Sequence, residues 1–273
     1  MTRNWQRSGL WAMGVALAMS LAGCGGGGST EGTAKAPGPA PAGAGGPKLL
    51  FITNSNADWW DAVEKGMHDG ATDFGAQVEM RRNDRQTQGQ IDRLQEALSL
   101  PDIQGVAVSV IEADAQGVID AMRALTRAGK VVIAIDSDVA EGSADARKAY
   151  IGTNNVSAGI AAGKAATALR PKGGTVAVFV GTSAAANARE RKEGFFKGAG
   201  PAFKEAETFD DGGDHTAART NVQNAIAKYP DLGLFLGLWS YNAPAIAEEV
   251  GQNAELHKRS TVVTFDLDQL AVG

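Results

Sequence analysis

From Lys48 onward, apolar and polar residues follow two alternating patterns along the chain. Short apolar runs indicate strands, and between them apolar residues recur at the three- and four-residue spacing typical of helices that lie on a sheet. In the first block the predicted strands are residues 48–53, 78–81, 105–110 and 131–135. The first helix between them carries a single apolar stripe, made of Trp60, Val63, Met67, Ala71 and Phe74. This order predicts a parallel sheet with helices on both faces.

The same alternation restarts after Tyr150, where a short strand at residues 150–152 leads into a second block. Helices are predicted at residues 160–169, 189–197 and 216–228, and strands at 175–180, 232–236 and 261–265. The chain is therefore predicted to form two Rossmann-like α/β lobes, an N-terminal lobe at 48–152 and a C-terminal lobe at 153–273. Two such lobes enclose a cleft.

An aspartate ends the corresponding strand of each predicted lobe. Asp136 follows the strand at 131–135, and Asp266 follows the strand at 261–265. Open parallel sheets bind ligands beyond the carboxyl ends of their strands, so both carboxylates are expected to face the cleft. An aspartate at a strand end can instead cap a helix or form a turn. Its repetition in both lobes favours a ligand site.

Two tryptophans, Trp59 and Trp60, stand where the first strand passes into a helix. Neighbouring helical residues point about 100° apart, so one indole can join the core while the other faces the cleft. We expect Trp59 to face the cleft, where an indole covers the C–H face of a sugar. Trp60 is compatible with either place.

The start of the chain has the pattern of an export signal. Arg3 and Arg7 precede an apolar stretch at 10–21 that is too short to cross a membrane as a helix. Residues 1–23 are predicted to be removed, and Cys24, the only cysteine, resembles the acylated cysteine of bacterial lipoproteins. An ordinary signal peptide with an incidental cysteine is the alternative. The Gly, Pro and Ala residues of the segment 24–47 predict a disordered linker.

Composition excludes some classes of function. The net charge is −5 and no basic stripe is present, so nucleic acid is not an expected partner. His68, His215 and His257 lack metal-ligand spacing, and there is neither a nucleophile elbow nor a phosphate-binding loop. We expect no metal and no cofactor. Doubly wound sheets host many activities, so an α/β enzyme stays as the weaker alternative.

Over residues 48–273 the chain resembles the bacterial periplasmic sugar-binding proteins of the ribose-binding type, the solute receptors of ABC importers. The matching motifs are Asn56-Ala57-Asp58-Trp59-Trp60, Ile135-Asp136, the segment 150–155 followed by Ala158-Gly159, the segments 187–191 and 193–195, and the segment 263–266. The resemblance implies the type I periplasmic binding protein fold and a sugar held between the lobes by hinge closure. It also implies a binding protein rather than an enzyme.

The resemblance assigns ligand contacts residue by residue. They are Asn56, Trp59, Trp60, Asp136 and the neighbouring Ser137 in the first lobe, and Arg189, Trp239, Tyr241, Asn242 and Asp266 in the second. Ribose binders usually carry an arginine where this chain has Ser137, and asparagine and aspartate in the loop where it has Trp239 to Asn242. Ribose itself is therefore not expected. The family also continues past the position of Gly273, so the second lobe is expected to be incomplete.

The expected partners are a sugar ligand and an ABC permease in the inner membrane. The receptor is expected to be a monomer, lipid-anchored in the cell envelope and facing the periplasm or the exterior. A chemoreceptor or histidine kinase is the alternative partner, which the sequence does not separate from a permease. Regulators of the lactose-repressor type share the architecture but carry a DNA-binding segment where this chain has its leader.

Overall fold

The computed structural model describes residues 45–84 and 86–266. The predicted signal peptide, the predicted lipidation site Cys24, most of the predicted linker and the segment 267–273 lie outside the described residues. Within the described part of the chain, no helix has the length and apolar character needed to cross a membrane.

The first lobe is a parallel sheet with the strand order β2-β1-β3-β4-β5. Its strands are β1 (Lys48–Ile52), β2 (Gln77–Arg81), β3 (Ile103–Val108), β4 (Val131–Ile135) and β5 (Ala149–Ile151). Its helices are α1 (Trp59–Phe74), α2 (Thr87–Ser99), α3 (Gln116–Arg127) and a short 3₁₀ helix (Glu141–Ala146). Each crossover between neighbouring parallel strands runs through a helix, as the alternating pattern predicts.

The second lobe repeats this arrangement with the order β7-β6-β8-β9, again all parallel. Its strands are β6 (Gly174–Val180), β7 (Phe203–Asp210), β8 (Leu234–Gly237) and β9 (Thr261–Thr264). Its helices are α4 (Asn155–Leu169), α5 (Ala186–Ala199), α6 (His215–Lys228), α7 (Asn242–Gln252) and α8 (Ala254–Arg259). The predicted α/β class is confirmed. Strand β7 was not predicted, because its edge position lets charged residues such as Lys204 and Glu205 break the apolar run.

The main core of the first lobe lies on one face of its sheet. Leu50 and Ile52 of β1 pack there with residues of α2 and α3, including Leu94 and Met122. On the opposite face, α1 buries Trp60 and Met67. The predicted stripe of α1 is wrong at its last residue, because Phe74 is 74% exposed at the point where the helix ends.

The second lobe has a core on each face of its sheet. One contains Val178 and Phe195, and the other contains Phe179 and Phe235. Phe179 stacks between Phe209 and Phe235, with centroid distances of 5.4 and 6.1 Å. Burial of a large aromatic side chain stabilises the fold by a few kcal/mol, on the order of 2–3.

Helices α4 and α5 pack backbone to backbone through glycines. A Cβ added at Gly159 would lie 2.3 Å from the carbonyl oxygen of Arg191, and one at Gly198 would lie 2.3 Å from that of Ile160. The glycine face therefore fixes how α5 is rotated about its axis. Arg191 lies on this face, three residues before Gly194, so it is turned toward α4.

Candidate functional site

A cavity of about 410 Å³ lies between the lobes, at the carboxyl ends of the strands. Six of the residues singled out in the sequence line it: Trp59, Trp60, Asp136, Trp239, Tyr241 and Asp266. Four others do not, namely Asn56, Ser137, Arg189 and Asn242. The cavity is also lined by five residues that were not among the predicted contacts: Asn54, Ser55, Thr153, Asn187 and Arg191.

Asp136 provides the acceptor at the centre of the cleft. It adopts the left-handed conformation with φ 59°, and its backbone N–H donates to the carbonyl oxygen of Ile151 at 3.0 Å. Its carboxylate accepts from Ser109 Oγ at 2.8 Å and from Asn54 Nδ2 at 3.4 Å. Burial raises the pKa of Asp136, while the Ser109 hydroxyl opposes that rise by bonding the charged form. The site thus holds a preoriented carboxylate whose charge is poorly solvated.

Asp266 occupies the equivalent place in the second lobe, directly after the strand end of β9. It has the same left-handed backbone, with φ 64°, but its side chain is exposed. Phe265, just before it, packs against the guanidinium of Arg191 with 4.7 Å between the centroid and Cζ. The two aspartates share a backbone conformation and differ in surroundings.

The arginine of the cleft is Arg191, not the predicted Arg189. Arg191 is buried, and it donates from Nε to Asn155 Oδ1 at 2.9 Å and from Nη1 to the carbonyl oxygen of Leu238 at 2.5 Å. Arg189 is exposed and pairs with Asp114 of the first lobe. Two residues correspond to about 200° on a helix, so the two side chains leave opposite sides of α5. The glycine spacing in α4 and α5 is the signal that could have found the rotation.

The aromatic residues come from both lobes. Trp60 is 2% exposed and donates Nε1–H to Ser55 Oγ at 3.3 Å, whereas Trp59 is 41% exposed and meets Trp60 edge to face. Trp239 of the second lobe donates its indole N–H to Asn187 Oδ1 at 3.2 Å. Trp59 therefore has a free indole face on the first-lobe side of the cavity, and Trp239 closes the second-lobe side.

The predicted residues outside the cavity have other partners. Asn56 is exposed and donates to Asp84 Oδ1 at 2.6 Å. Ser137 is fully buried, and its Oγ has no hydrogen-bond partner among the described residues. Asn242 is buried behind Trp239 and accepts from the Trp239 backbone N–H at 3.0 Å. These three residues are sequence neighbours of residues that line the cavity, and the direction of their side chains is what places them outside it.

The lobes also touch each other directly. The backbone N–H of Ala113 donates to the carbonyl oxygen of Ala184 at 3.0 Å, and Asn187 Nδ2 donates to Asp136 Oδ1 at 3.4 Å. With the ion pair of Arg189 and Asp114, these contacts join the beginning of α5 to the loop before α3 and to the cleft aspartate. The arrangement closes one side of the cleft.

The family model described as "Periplasmic binding protein domain" matches residues 48–273. The chain belongs to the periplasmic binding protein family. Membership of that family implies an extracytoplasmic location. No match to the chain is found among curated proteins.

Solved structures of solute-binding proteins share the fold. An ABC transporter solute-binding protein from Burkholderia graminis, in complex with D-arabinose, is 25% identical with a TM-score of 0.74, covering 83% of this chain and 78% of that chain. A glucose-galactose binding protein from Geobacillus stearothermophilus is 23% identical with a TM-score of 0.73, covering 83% and 80%. A solute-binding protein from Actinobacillus succinogenes with bound D-allose is 20% identical with a TM-score of 0.70, covering 83% and 80%. These proteins are solute-binding proteins, not enzymes.

Proposed function

We propose that this chain is the substrate-binding lipoprotein of an ABC sugar importer, and that it binds a monosaccharide or a related polyol between its lobes. One observation carries the proposal: the Asp136 carboxylate lies in a cavity of about 410 Å³ that aromatic side chains line from both lobes. The D-arabinose complex of the similar Burkholderia graminis protein supports the ligand class.

Each side chain of the cleft suits part of a polyol. A carboxylate accepts strong hydrogen bonds from two hydroxyl groups, so Asp136 binds a pair of neighbouring hydroxyl groups of the ligand. Trp59 and Trp239 cover the apolar C–H faces of the ring. Asp266 and Arg191 add an acceptor and a donor from the second lobe. We assign ligand contact to these residues and a supporting role to Ser137 and Asn242, while Asn56 and Arg189 act outside the cavity.

A cleft that both lobes line can bind its ligand by closing around it. A ligand that touches both lobes has more contacts in the closed state, so it shifts the equilibrium toward closure. The lobe boundary proposed at residues 152–153 lies between β5 and α4, where the chain passes between the sheets. No reaction step is needed.

The placement in the cell rests on the leader pattern. Lipidation at Cys24 and a linker over residues 24–47 would tether a monomeric receptor to the envelope and leave its cleft free to meet a permease. A receptor that presents its sugar to a chemoreceptor or histidine kinase predicts the same cleft and ligand class. The two roles differ only in the partner of the closed form.

A thermal-shift screen of the full chain against pentoses, hexoses, polyols and nucleosides tests the proposal. A ligand at a hundredfold excess over its dissociation constant stabilises by about 2.7 kcal/mol, which gives a clear shift. We expect one sugar or a small group of related sugars to raise the melting temperature, and Asp136→Asn to remove that shift. A cooperative melt that no compound shifts would contradict the proposal.

A further inference from the structure

A buried carboxylate, Asp211, lies behind the part of the cleft that Trp239 and Tyr241 form, here called the second-lobe wall. Asp211 does not line the cavity. One of its carboxylate oxygens accepts from the Tyr241 hydroxyl, and the other accepts from Asn242 Nδ2 at 3.0 Å. Both bonds go to the segment that follows Trp239 and begins α7.

Asp211 is itself held firmly at the end of β7. Its backbone N–H donates to the carbonyl oxygen of Val180 at 3.1 Å, and the next N–H, of Gly212, donates to Gly181 at 2.8 Å. The N–H of Gly213 closes a turn onto the Asp211 carboxylate at 2.7 Å. The backbone hydrogen bonds between β6 and β7 therefore continue past the strand ends. They fix the backbone of Asp211 next to the second-lobe wall.

The contacts run on from Asp211 to the centre of the cleft. Asn242 Oδ1 accepts from the Trp239 backbone N–H at 3.0 Å, and the Trp239 indole N–H donates to Asn187 Oδ1 at 3.2 Å. Asn187 in turn donates to Asp136 at 3.4 Å. A single connected network thus joins the buried carboxylate of the second lobe to the cleft aspartate of the first.

Gly181 packs closely against the second-lobe wall and leaves the wall little room to move. A Cβ added at Gly181 would lie 2.0 Å from Cζ3 of Trp239 and 2.7 Å from the hydroxyl oxygen of Tyr241. The two rings also meet each other edge to face, with centroids 6.3 Å apart. Because these contacts are close, the position of the second-lobe wall is set by the hydrogen bonds of Asp211 and by the backbone at Gly181.

We propose that Asp211 is a positioning residue of the cleft: by holding Tyr241 and Asn242 it fixes the second-lobe wall and so determines which ligands the cleft accepts. This inference rests on the proposed function, since selectivity is defined only for a binding cleft. The sequence singled out Tyr241 and Asn242 as direct contacts, whereas the structure places Asn242 behind the wall as part of the device that holds it.

Charge is part of this role, because an ionised carboxylate accepts stronger hydrogen bonds than a neutral group. Burial raises the pKa of Asp211 to about 6, and the Tyr241 hydroxyl is the largest opposing influence. The other titratable groups beside it are Asp210 at the end of β7, and Asp214 and His215 where α6 begins. The wall is therefore expected to loosen as pH falls through about 6.

Asp211→Asn tests the inference, and Asp210→Asn is its matched control, since Asp210 is the neighbouring carboxylate and bonds Ser183 instead of the wall. The measurement is the ratio of dissociation constants for the best sugar from the screen and its nearest epimer, at pH 7.5 and pH 5. We expect Asp211→Asn to weaken the preferred sugar on the order of tenfold, to bring the ratio close to one, and to make it independent of pH. Asp210→Asn should keep the wild-type ratio. If Asp211→Asn weakens both sugars equally, so that the ratio keeps its wild-type value, the inference is overturned.

A ligand-free readout separates this inference from the proposed function. With 5-fluorotryptophan in the full chain, ¹⁹F NMR resolves each indole, and Trp239→Phe assigns the resonance of the wall. Asp211→Asn should shift or broaden that resonance and leave those of Trp59 and Trp60 in place. If all indole resonances stay unchanged, Asp211 does not position the wall, whether or not a sugar binds.

Discussion

The four strands of the second sheet repeat the order of the first four strands in the first sheet, and β4 and β9 end in the same way, yet the two lobes supply different chemistry to the cleft. Asp136 and Asp266 both follow the fourth strand of that order with a left-handed backbone. The first lobe partly buries its aspartate among hydrogen-bond donors, whereas the second leaves its aspartate exposed and buries Asp211 after β7, at the opposite edge of its sheet. The shared backbone therefore fixes where each aspartate lies, and the surrounding loops determine its burial and its hydrogen-bond partners.

The cores differ as well. Both faces of the second sheet carry a buried apolar cluster, while the face of the first sheet that meets α1 is only partly covered. An apolar groove of about 620 Å³ remains open there between α1 and the strands. Stability should therefore respond more strongly to changes on either face of the second sheet than to changes on the α1 face of the first.

The largest expected effect is on stability. Phe179→Ala removes the middle ring of the stack in the second lobe, and it should lower the free energy of unfolding by about 3–5 kcal/mol. Phe74→Ala, the same change at an exposed site of the first lobe, should stay within about 0.5 kcal/mol. Urea denaturation of both variants measures the difference, and equal losses would contradict the contrast between the packed second sheet and the open α1 face of the first.

The two equivalent aspartates should differ in their effect on affinity. Asp136→Ala removes a partly buried acceptor and leaves the Ser109 and Asn54 donors without their partner, so sugar affinity should fall roughly a hundredfold or more. Asp266→Ala removes an exposed carboxylate and should cost about tenfold. Calorimetric titration with the best sugar gives both values. A larger loss for Asp266→Ala would reverse the assignment of the principal acceptor.

The buried carboxylate of the second lobe predicts a pH effect on stability. Because the folded state raises the pKa of Asp211 to about 6, the folded chain binds its proton more tightly than the unfolded chain. This contribution to the free energy of unfolding is complete below the ordinary pKa of about 4, where the buried carboxyl is neutral, and it is lost as pH rises through about 6. The hydrogen bonds to the second-lobe wall change in the opposite direction, because the charged form accepts them more strongly.

Asp211→Asn cannot titrate at this position, so the wild type should lose about 2–3 kcal/mol relative to the variant between about pH 4 and pH 7. The raised pKa of Asp136 is present in both proteins and cancels in the difference. Denaturation curves at several pH values check this, and a constant difference across the range would show that Asp211 does not titrate as described.

The smallest expected effect concerns the direct contact between the lobes. Arg189 and Asp114 form an exposed ion pair, which contributes about 0–1 kcal/mol. Arg189→Gln should therefore weaken every sugar by the same small factor, at most about fivefold, without changing their order. The exchanged pair, Arg189→Asp with Asp114→Arg, should restore affinity. A change in sugar preference with Arg189→Gln would return Arg189 to the ligand site.

Much of this architecture could be predicted from residue patterns. The strand at 131–135 and the aspartates that follow the strands have strong signals, since apolar runs and strand ends are local features. The polar edge strand β7 has no such signal. The choice between Arg189 and Arg191 depends on how α5 is rotated, which the glycine contacts with α4 determine. Local patterns therefore locate the loops of a site, while packing between distant elements selects the side chains.

The most direct test of the sugar-binding cleft is a crystal structure of the chain with the best sugar from the screen. We predict electron density for one sugar between Trp59 and Trp239, with two of its hydroxyl groups donating to Asp136. A sugar bound outside this cavity, or inside it without contact to Asp136, would contradict the proposed binding site.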